Sequence, residues 1–391
     1  MNSSPAKIGI VAGEESGQLL AAELIQALAE QLGEMPSLIG VGGGSLESLG
    51  LKTVFNADEI ALMGISSVVK SLPRLLKRIG QTVDEIVAER PDCLLLIDSP
   101  DFSLRVAKRV KAQLPDLPIV KYVAPTVWAW RPNRAAQMSA YIDLVLAILP
   151  FEPEVMQQLG GPATHYVGHR LMSEQSLTQT WKHNLKKKNP IGETLNLLVL
   201  PGSRSSEIKS LIDDFGEVVQ ILERRGHNPT VYIPTLPRHL DEVRRRTASW
   251  RKSPIITTSR EEQVSAYSIA DAALVASGTI TLELALAGVP AVSCYKVDPL
   301  MNLATSMITT WTAALPNLIA DRPVIREYFN KQIRPDLLAR CVEDMAAYGE
   351  PSRAAIIEGY KIVRERMATE IPASQRAASI VADVLASKRA K

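Results

Sequence analysis

The chain has 391 residues, which is long for one hydrophobic core and favours two domains of about 180 residues each. Its 46% hydrophobic residues, 22% charged residues and net charge of +2 are typical of a soluble globular protein and disfavour nucleic acid as a partner, which usually needs a strongly basic domain. Cys93, Cys294 and Cys341 are scattered and odd in number, which argues against a disulfide framework or zinc site and favours a reducing, cytosolic compartment.

The first half of the chain alternates short apolar runs with helical patterns. It begins with MNSSPAK, which lacks the apolar core of a signal peptide, and no later run reaches the roughly 18 apolar residues of a membrane span. We predict strands at KIGIVA, PSLIGVG, DCLLLID, PIVKYVA and DLVLAIL, and helices at 19–32, 102–114 and 152–159. Apolar strands that alternate with helices indicate a parallel sheet of Rossmann type.

The second half repeats this alternation after an interruption. The polar, basic stretch at 180–194 predicts a linker. Strand-like runs then resume at LNLLVL, TVYIP, PIITT, AALVAS and PAVSCY, and the tail at 335–391 is helical in pattern. We predict an α/β protein with two Rossmann-like domains, 1–180 and 195–350, that face a cleft. The helices at 351–391 are predicted to pack back on the N-terminal domain or on a partner subunit.

Ligands of such sheets bind beyond the carboxyl ends of the strands, so the residues just after each strand are the informative ones. PGSRSSE follows LLVL and opens a helix. Ser203 is placed to cap that helix, the free N–H groups at its start favour an anion, and Arg204 adds a cation suited to phosphate. The alternative is a capped helix with a surface arginine.

A second glycine turn, SGTITLE, follows AALVA. Gly278 allows close approach of a ligand, Ser277 and Thr279 supply donors, and Glu283 is placed to accept both hydroxyls of a ribose. The alternative for Glu283 is a capping acid. Neither turn matches GxxxxGK[ST], which excludes an ATPase P-loop, and the lack of GxGxxG after the first strand disfavours a dinucleotide oxidoreductase.

Acidic residues follow two strands of the first half. Glu14 and Glu15 follow the first strand, where a charge is costly unless something binds it, and a hydroxyl-rich group such as a sugar would suit them. Asp98 ends the most apolar strand, where a carboxylate is either held by backbone donors and a neighbouring cation or has a raised pKa and takes protons. We favour the second role, which makes Asp98 the candidate proton acceptor. Asp101, three residues later, is interpreted as a helix-start acid.

Aromatic and histidine residues near the middle of the chain leave two interpretations open. PTVWAWRPNR brings two tryptophans together with Arg131 and Arg134, and is either a core pair or a surface that stacks on a sugar. His169, in GHR, is a lone histidine of the kind that is more often structural.

Two segments suggest contact with a membrane surface. The stripe at 60–83 has apolar residues on one helical face and contains no acidic residue. Its basic residues are Lys70, Arg74, Lys77 and Arg78. Such a stripe either packs on the core or lies on anionic lipid. The nearly uncharged segment at 299–315 is the second candidate.

Several motifs in order give a resemblance to a known family. IVAGEESG, ALMGI, IDSPDF, PTVWAWR, LPFEP, VGH, LPGSR, ASGTITLE and LPNLIA together resemble the lipid-A-disaccharide synthases, which are GT-B glycosyltransferases of lipid A biosynthesis. That family joins UDP-2,3-diacylglucosamine to 2,3-diacylglucosamine 1-phosphate, giving a β-1,6-linked disaccharide and UDP. The resemblance covers nearly the whole chain.

The resemblance implies a role for each matching position. Asp98 would be the base that activates the acceptor hydroxyl, Arg204 with Ser203 would hold the diphosphate, and Glu283 would hold the ribose. Further substrate-binding positions are implied at Glu14, Ser16, Gly17, Glu207, Ser277, Gly278, Thr279 and Asn317. Gln18 stands where the family usually has Asp, and GHRLMSE lacks the usual proline and later acid.

The implied partners are the two lipid substrates and the inner face of a Gram-negative type inner membrane, with a homodimer as a further candidate. No cofactor or metal is required by this interpretation, because an arginine and two helix N-termini can neutralise departing UDP. Two alternatives remain. One is a UDP-sugar 2-epimerase built from the same halves, and the other is a catalytically silent UDP-sugar-binding protein.

Overall fold

The computed structural model describes residues 5–57, 59–60, 68–187, 194–296 and 310–389, and of 68–72 it describes the helical backbone alone. The chain divides into two compact units. Unit 1 comprises Met1–Arg170 and Thr369–Lys391, and unit 2 comprises Leu171–Ala368. The first unit therefore ends before the predicted boundary at residue 180, and the last helix returns to it.

Unit 1 is built on parallel strands. They are β1 (Lys7–Ala12), β2 (Ser37–Val41), β3 (Lys52–Thr53), β4 (Cys93–Ile97), β5 (Ile119–Tyr122), β6 (Leu144–Ala147) and β7 (Ala163–Tyr166). They form one seven-stranded sheet in the order β3-β2-β1-β4-β5-β6-β7. The order reverses between β1 and β4, which pair in register from Ile8 with Cys93 to Ala12 with Ile97. This reversal brings the ends of β1 and β4 side by side, where ligands bind in such sheets.

The helices of unit 1 cover the sheet. They are α1 (Glu15–Leu32), α2 (Gly44–Glu47), α3 (Val68–Glu89), α4 (Pro100–Gln113), α5 (Asn133–Met138), α6 (Glu152–Gln158) and, at the end of the chain, the helix Ala373–Arg389. That last helix packs on α1, and its buried residues Ala377 and Val381 join the same core as Leu24 and Ile97. The helix Ala373–Arg389 is thus part of the core of unit 1, whereas residues 351–368 belong to unit 2.

Unit 2 repeats the design with parallel strands and helices of its own. The strands are β8 (Thr194–Leu200), β9 (Asn228–Pro234), β10 (Ile255–Thr257), β11 (Ala272–Ala276), β12 (Ala291–Tyr295) and β13 (Arg326–Phe329). The helices are α7 (Gln175–Lys186), α8 (Ser205–Arg224), α9 (Leu240–Thr247), α10 (Arg260–Ile269), α11 (Thr279–Ala287), α12 (Leu315–Ala320), α13 (Pro335–Ala346) and α14 (Pro351–Met367). The last helix of the chain is α15. The six-stranded sheet has the order β10-β9-β8-β11-β12-β13 and reverses between β8 and β11.

The predicted pair of Rossmann-like α/β domains is confirmed. The linker predicted at 180–194 is wrong for its first part, because residues 180–186 form the last turns of α7, where Thr180, Trp181 and Asn184 are buried. The helix was not predicted because its sequence is polar. Asn184 is nonetheless buried, because its amide donates to the carbonyls of Tyr267 and Ala287. Residues 188–193 lie outside the described part.

Candidate active site

A cavity of ≈ 410 Å³ lies in unit 2 at the carboxyl ends of its strands, a size that suits a small ligand. The cavity brings together most of the residues that the sequence predicted as ligand-binding at the two glycine turns. These lining residues are Ser203, Arg204, Glu207, Ser277, Gly278, Thr279 and Glu283. The two glycine turns meet there because β8 and β11 are neighbours at the reversal of strand order.

The first turn is held by Glu207. Its Oε2 accepts the backbone N–H groups of Ser203 at 3.0 Å and Arg204 at 3.3 Å. Gly202 has φ +125°, and a Cβ there would lie 2.4 Å from the same carboxylate, so only glycine fits. The prediction that Ser203 caps the helix is wrong, because α8 begins at Ser205 and Arg204 occupies the capping position without a side-chain cap.

Arg204 extends from this turn toward solvent. Its side chain is 72% exposed, and its Nη1 lies 3.0 Å from Oε1 of Glu207. Glu207 thus satisfies two backbone donors of the turn and orients the guanidinium. The N–H groups of the first turn of α8 have no partner within the helix, as at any helix start, and they point to the same end as Arg204.

The second turn places Gly278 before α11. Gly278 has φ +147°, and nothing lies within 4 Å of where its Cβ would be, so a ligand can approach the backbone there. The carbonyl of Gly278 accepts the hydroxyl of Thr281 at 2.8 Å, and Ser277 donates its N–H to Cys294 at 3.0 Å. These bonds leave the mouth of the turn facing the cavity.

Glu283 lies one turn into α11 and is only 9% exposed. Arg260 of α10 donates to it through Nη1, and binds Glu174 through Nη2 at 2.8 Å and through Nε at 3.0 Å. Burial raises the pKa of Glu283, and the guanidinium of Arg260 opposes that shift. The arrangement holds a carboxylate at the cavity wall with one oxygen fixed by Arg260, so Glu283 is not a helix cap.

Sequence reasoning missed several residues of this cavity. The hydroxyls of Thr235 and Thr257 are buried and have no hydrogen-bond partner within the described residues, and both residues line the cavity. They follow β9 or end β10, so the rule that located the glycine turns applied to them as well. The start of α10 could also have been predicted from the sequence, because Ser259 and Glu262 form the capping box S-x-x-E.

Asn317 does not line this cavity. Its Oδ1 accepts the N–H groups of Val324 and Ile325, both at 2.8 Å. Its Nδ2 donates to the carbonyl of Ile325 at 3.0 Å and to Thr312 at 3.1 Å. The buried amide is therefore occupied in organising the loop before β13, and direct contact of Asn317 with substrate stays a prediction.

In unit 1, the candidate acidic residues follow β1 and β4. Glu14 precedes α1 and is exposed, as are Glu15 and Ser16. Gly17 is buried against β4, where a Cβ would lie 3.5 Å from the Cβ of Asp98. The adjacency of β1 and β4 thus brings the GEESG and IDSPDF motifs together, which neither motif alone could show.

Asp98 is half-buried and sits in a strained turn. Its φ is +50° and that of Ser99 is +42°, so two consecutive non-glycine residues are left-handed. Its N–H donates to Tyr122 at 3.1 Å, and its carbonyl accepts the hydroxyl of Ser103 at 2.9 Å. Within the described part of the chain, the carboxylate itself accepts no hydrogen bond, and its role as a base stays a prediction.

Comparison with known proteins identifies the family. A model of the lipid-A-disaccharide synthetases matches residues 8–366. The chain belongs to this family. Over 387 residues it is 39% identical to the lipid-A-disaccharide synthase of Nitrobacter winogradskyi, covering 98% of this chain and 97% of that protein. Membership makes it a glycosyltransferase.

Solved structures show the same fold. Acinetobacter baumannii MurG has a TM-score of 0.59 at 16% identity, covering 97% of this chain and all of that chain. The UDP-GlcNAc 2-epimerase of Neisseria meningitidis, solved with UDP-GlcNAc, has a TM-score of 0.51 at 13% identity, covering 97% of this chain and 100% of that one. At these identities the likeness establishes the GT-B fold class alone.

In this lipid-A-disaccharide synthetase family member, the PTVWAWR and LPFEP motifs meet. Trp128 packs edge-on against Phe151 with ring centroids 5.5 Å apart, and its indole N–H lies 3.4 Å from Glu152. Burial raises the pKa of Glu152 to about 7. Trp128 and Trp130 are both half-exposed, and the guanidinium of Arg131 lies 5.2 Å from the ring centroid of Trp130.

His169 and Asp101 fit the structural roles expected of them. His169 is buried, which lowers its pKa to about 4 and keeps the ring neutral. Asp101 lies in the first turn of α4, where its carboxylate also accepts from Arg134 at 2.8 Å.

The basic stripe is divided between core and surface. Ile79 is fully buried, whereas Leu76 and Lys77 are exposed. Arg74 and Arg78 both bind Glu59, at 2.9 Å and 2.6 Å. The side chains of residues 61–72 of the stripe, including Lys70, and residues 299–309 of the second segment lie outside the described residues.

Among the described residues, no group of three or more His, Cys, Asp or Glu side chains could hold a metal ion. No helix within the described ranges is long and apolar enough to span a membrane.

Proposed function

We propose that the chain transfers 2,3-diacylglucosamine from its UDP derivative to the 6-hydroxyl of 2,3-diacylglucosamine 1-phosphate, releasing UDP and the β-1,6-linked disaccharide 1-phosphate. One observation supports this most strongly. In a chain of this family, both glycine turns and a buried carboxylate line one cavity at the strand ends of unit 2.

The cavity suits the UDP part of the donor. The N-termini of α8 and α11 present backbone N–H groups, and Arg204 adds a forked cation, so a diphosphate finds donors and positive charge together. Glu283, with one oxygen held by Arg260, keeps acceptor capacity for ribose hydroxyls. The buried hydroxyls of Thr235 and Thr257 are available to a polar ligand edge.

Unit 1 supplies the base in this proposal. The carboxylate of Asp98 takes the proton of the acceptor's 6-hydroxyl, and that oxygen attacks the anomeric carbon of the donor as the bond to the UDP oxygen breaks. The electron pair leaves on UDP, where Arg204 and the two helix N-termini stabilise the developing charge. A single displacement inverts the anomeric carbon and gives the β linkage. Glu14 and Ser16 are proposed to bind sugar hydroxyls beside Asp98.

The release of UDP tests this proposal. Purified protein should release UDP from UDP-2,3-diacylglucosamine only when 2,3-diacylglucosamine 1-phosphate is also present. Conversion of UDP-GlcNAc alone into an epimer would support the epimerase alternative, which rests on fold likeness alone. Tight UDP binding without turnover of the two lipids would support the silent binding protein.

Because both substrates carry acyl chains, we also propose that the enzyme acts as a cytoplasmic, peripheral protein at the inner face of the inner membrane. The exposed Leu76 and Lys77 are the described part of the proposed contact. A homodimer is a further proposal, which analytical ultracentrifugation would test.

A further inference from the structure

Lys121 is a fully buried lysine inside the central sheet of unit 1. It lies in β5 (IVKY), where every residue is buried, next to Leu96 of β4 in the strand register. Its ammonium donates to the backbone carbonyl of Asp98. Lysine is almost never fully buried without a partner, so a charge at this place needs a reason.

The backbone that Lys121 contacts is strained. Asp98 and Ser99 are left-handed, and Val123, two residues after Lys121, has φ +70°. A left-handed β-branched residue is rare, and three strained residues on two adjacent strand ends mark a turn that its surroundings must hold in place. The carbonyl of Asp98 receives two donors, Lys121 and Ser103, and both fix the same peptide.

Lys121 also faces negative charge. Burial lowers its pKa to about 7, and the carboxylates of Asp98 and Glu14 oppose this shift, which places both acids within its electrostatic reach. These two acids follow neighbouring strands, and bringing them together costs free energy unless a cation lies between or beneath them.

We propose that Lys121 is a positioning residue for glycosyl transfer: its ammonium fixes the Asp98–Ser99 turn so that the Asp98 carboxylate meets the acceptor hydroxyl. The inference rests on the proposed function, in which Asp98 is the base. Lys121 touches no substrate in this account and acts through Asp98.

The variant Lys121→Met tests this role. The substitution removes the ammonium that contacts the carbonyl of Asp98, and that carbonyl keeps its bond to Ser103. Loss of one partner of a buried charged group is destabilising, so we expect a lower melting temperature, and the rate is measured where the variant is fully folded. Under that condition we expect a kcat about 10- to 100-fold lower than that of the wild type. UDP affinity should stay unchanged, because the UDP site lies in unit 2.

Lys111→Met is the matched control. Lys111 of α4 also donates to a backbone carbonyl, that of Leu117 at 2.9 Å, and pairs with Asp143 at 2.8 Å. These contacts precede β5 and β6, at the opposite edge of the sheet from Asp98. The control should therefore keep the wild-type kcat.

Two further variants separate the possible outcomes. Lys121→Gln keeps a hydrogen-bond donor for the carbonyl of Asp98 and removes the charge, so it should retain more of the kcat than Lys121→Met, and it carries the test if the Met variant does not fold. In an Asp98→Asn background, Lys121→Met should lower the rate little further, because the two residues act as one unit.

A Lys121→Met enzyme with the wild-type kcat would overturn the inference. So would a Lys121→Gln enzyme that is no more active than Lys121→Met, or a Met variant whose kcat falls only as far as its folded fraction does. Failure of the wild-type protein to make any disaccharide would instead count against the proposed function itself.

Discussion

Arg260→Met is the most informative perturbation of the nucleotide cavity. The substitution removes one cation from between two carboxylates, Glu283 and Glu174, and keeps most of the side-chain volume. Removing one partner of a buried charge pair costs about 3–5 kcal/mol. Because Arg260 is 38% exposed, solvent screens part of this, and we expect a loss of about 1–2 kcal/mol. For a unit of this size that lowers the melting temperature by roughly 2–8 °C.

The effect on UDP binding should depend on pH. Burial already raises the pKa of Glu283, and losing Arg260 removes the interaction that opposes this rise. A raised carboxyl pKa means that the folded protein is most stable with the proton bound, so Arg260→Met should be destabilised more at pH 8 than at pH 5. UDP affinity should fall about tenfold, or about 1.4 kcal/mol, and the decline toward acid should begin at a higher pH than in wild type.

Titration calorimetry with UDP between pH 5 and 8 measures this, with Arg246→Met as the control. Arg246 also bridges two carboxylates of unit 2, Asp213 at 3.1 Å and Glu242 at 3.6 Å, and does not line the cavity. If Arg260→Met binds UDP as tightly as Arg246→Met at every pH, Glu283 does not hold the ribose through this network.

Four other substitutions test separate parts of the account. Asp98→Asn should lower kcat by about 100-fold and leave UDP affinity unchanged; a rate within threefold of wild type would remove Asp98 from the role of base. Arg204→Ala should weaken UDP binding and slow turnover together, because a cation at the diphosphate acts in both the ground and the transition state. Unchanged UDP affinity in that variant would contradict the phosphate assignment. Lys77→Gln should weaken binding to anionic vesicles by about 1 kcal/mol, as measured by sedimentation, and 1 M salt should weaken the binding of the wild type in the same way. Arg78→Gln should instead lower the melting temperature, since Arg78 binds Glu59 and covers the ring of Phe55.

The sequence predicted the central strands well because they are continuous apolar runs, and β4 is buried at all five positions. Three edge strands, β3, β7 and β13, were not predicted. β3 has two residues, and β7 and β13 carry polar residues and are only partly buried, so neither length nor hydrophobicity distinguishes them from loops. Their place follows from pairing with neighbours that are distant in sequence.

The residues of the candidate site were likewise predicted only in part. Glu283, Arg204 and Asp98 follow strands, and the rule that ligands bind at strand ends located them. Their partners could not be found, because Arg260 meets Glu174 across 86 positions and Lys121 meets Asp98 from an adjacent strand. The sequence IVKY alone does not indicate that the ammonium of its lysine reaches the end of the neighbouring strand.

The stereochemistry of the product tests the central claim most directly. Purified protein, supplied with UDP-2,3-diacylglucosamine and 2,3-diacylglucosamine 1-phosphate, should form one new glycosidic bond, and proton NMR should show the large anomeric coupling of a β linkage to C6. An α linkage would contradict a single displacement with Asp98 as base. A 2-epimer without disaccharide, or bound UDP without any product, would contradict the assignment of this chain as a glycosyltransferase acting on these substrates.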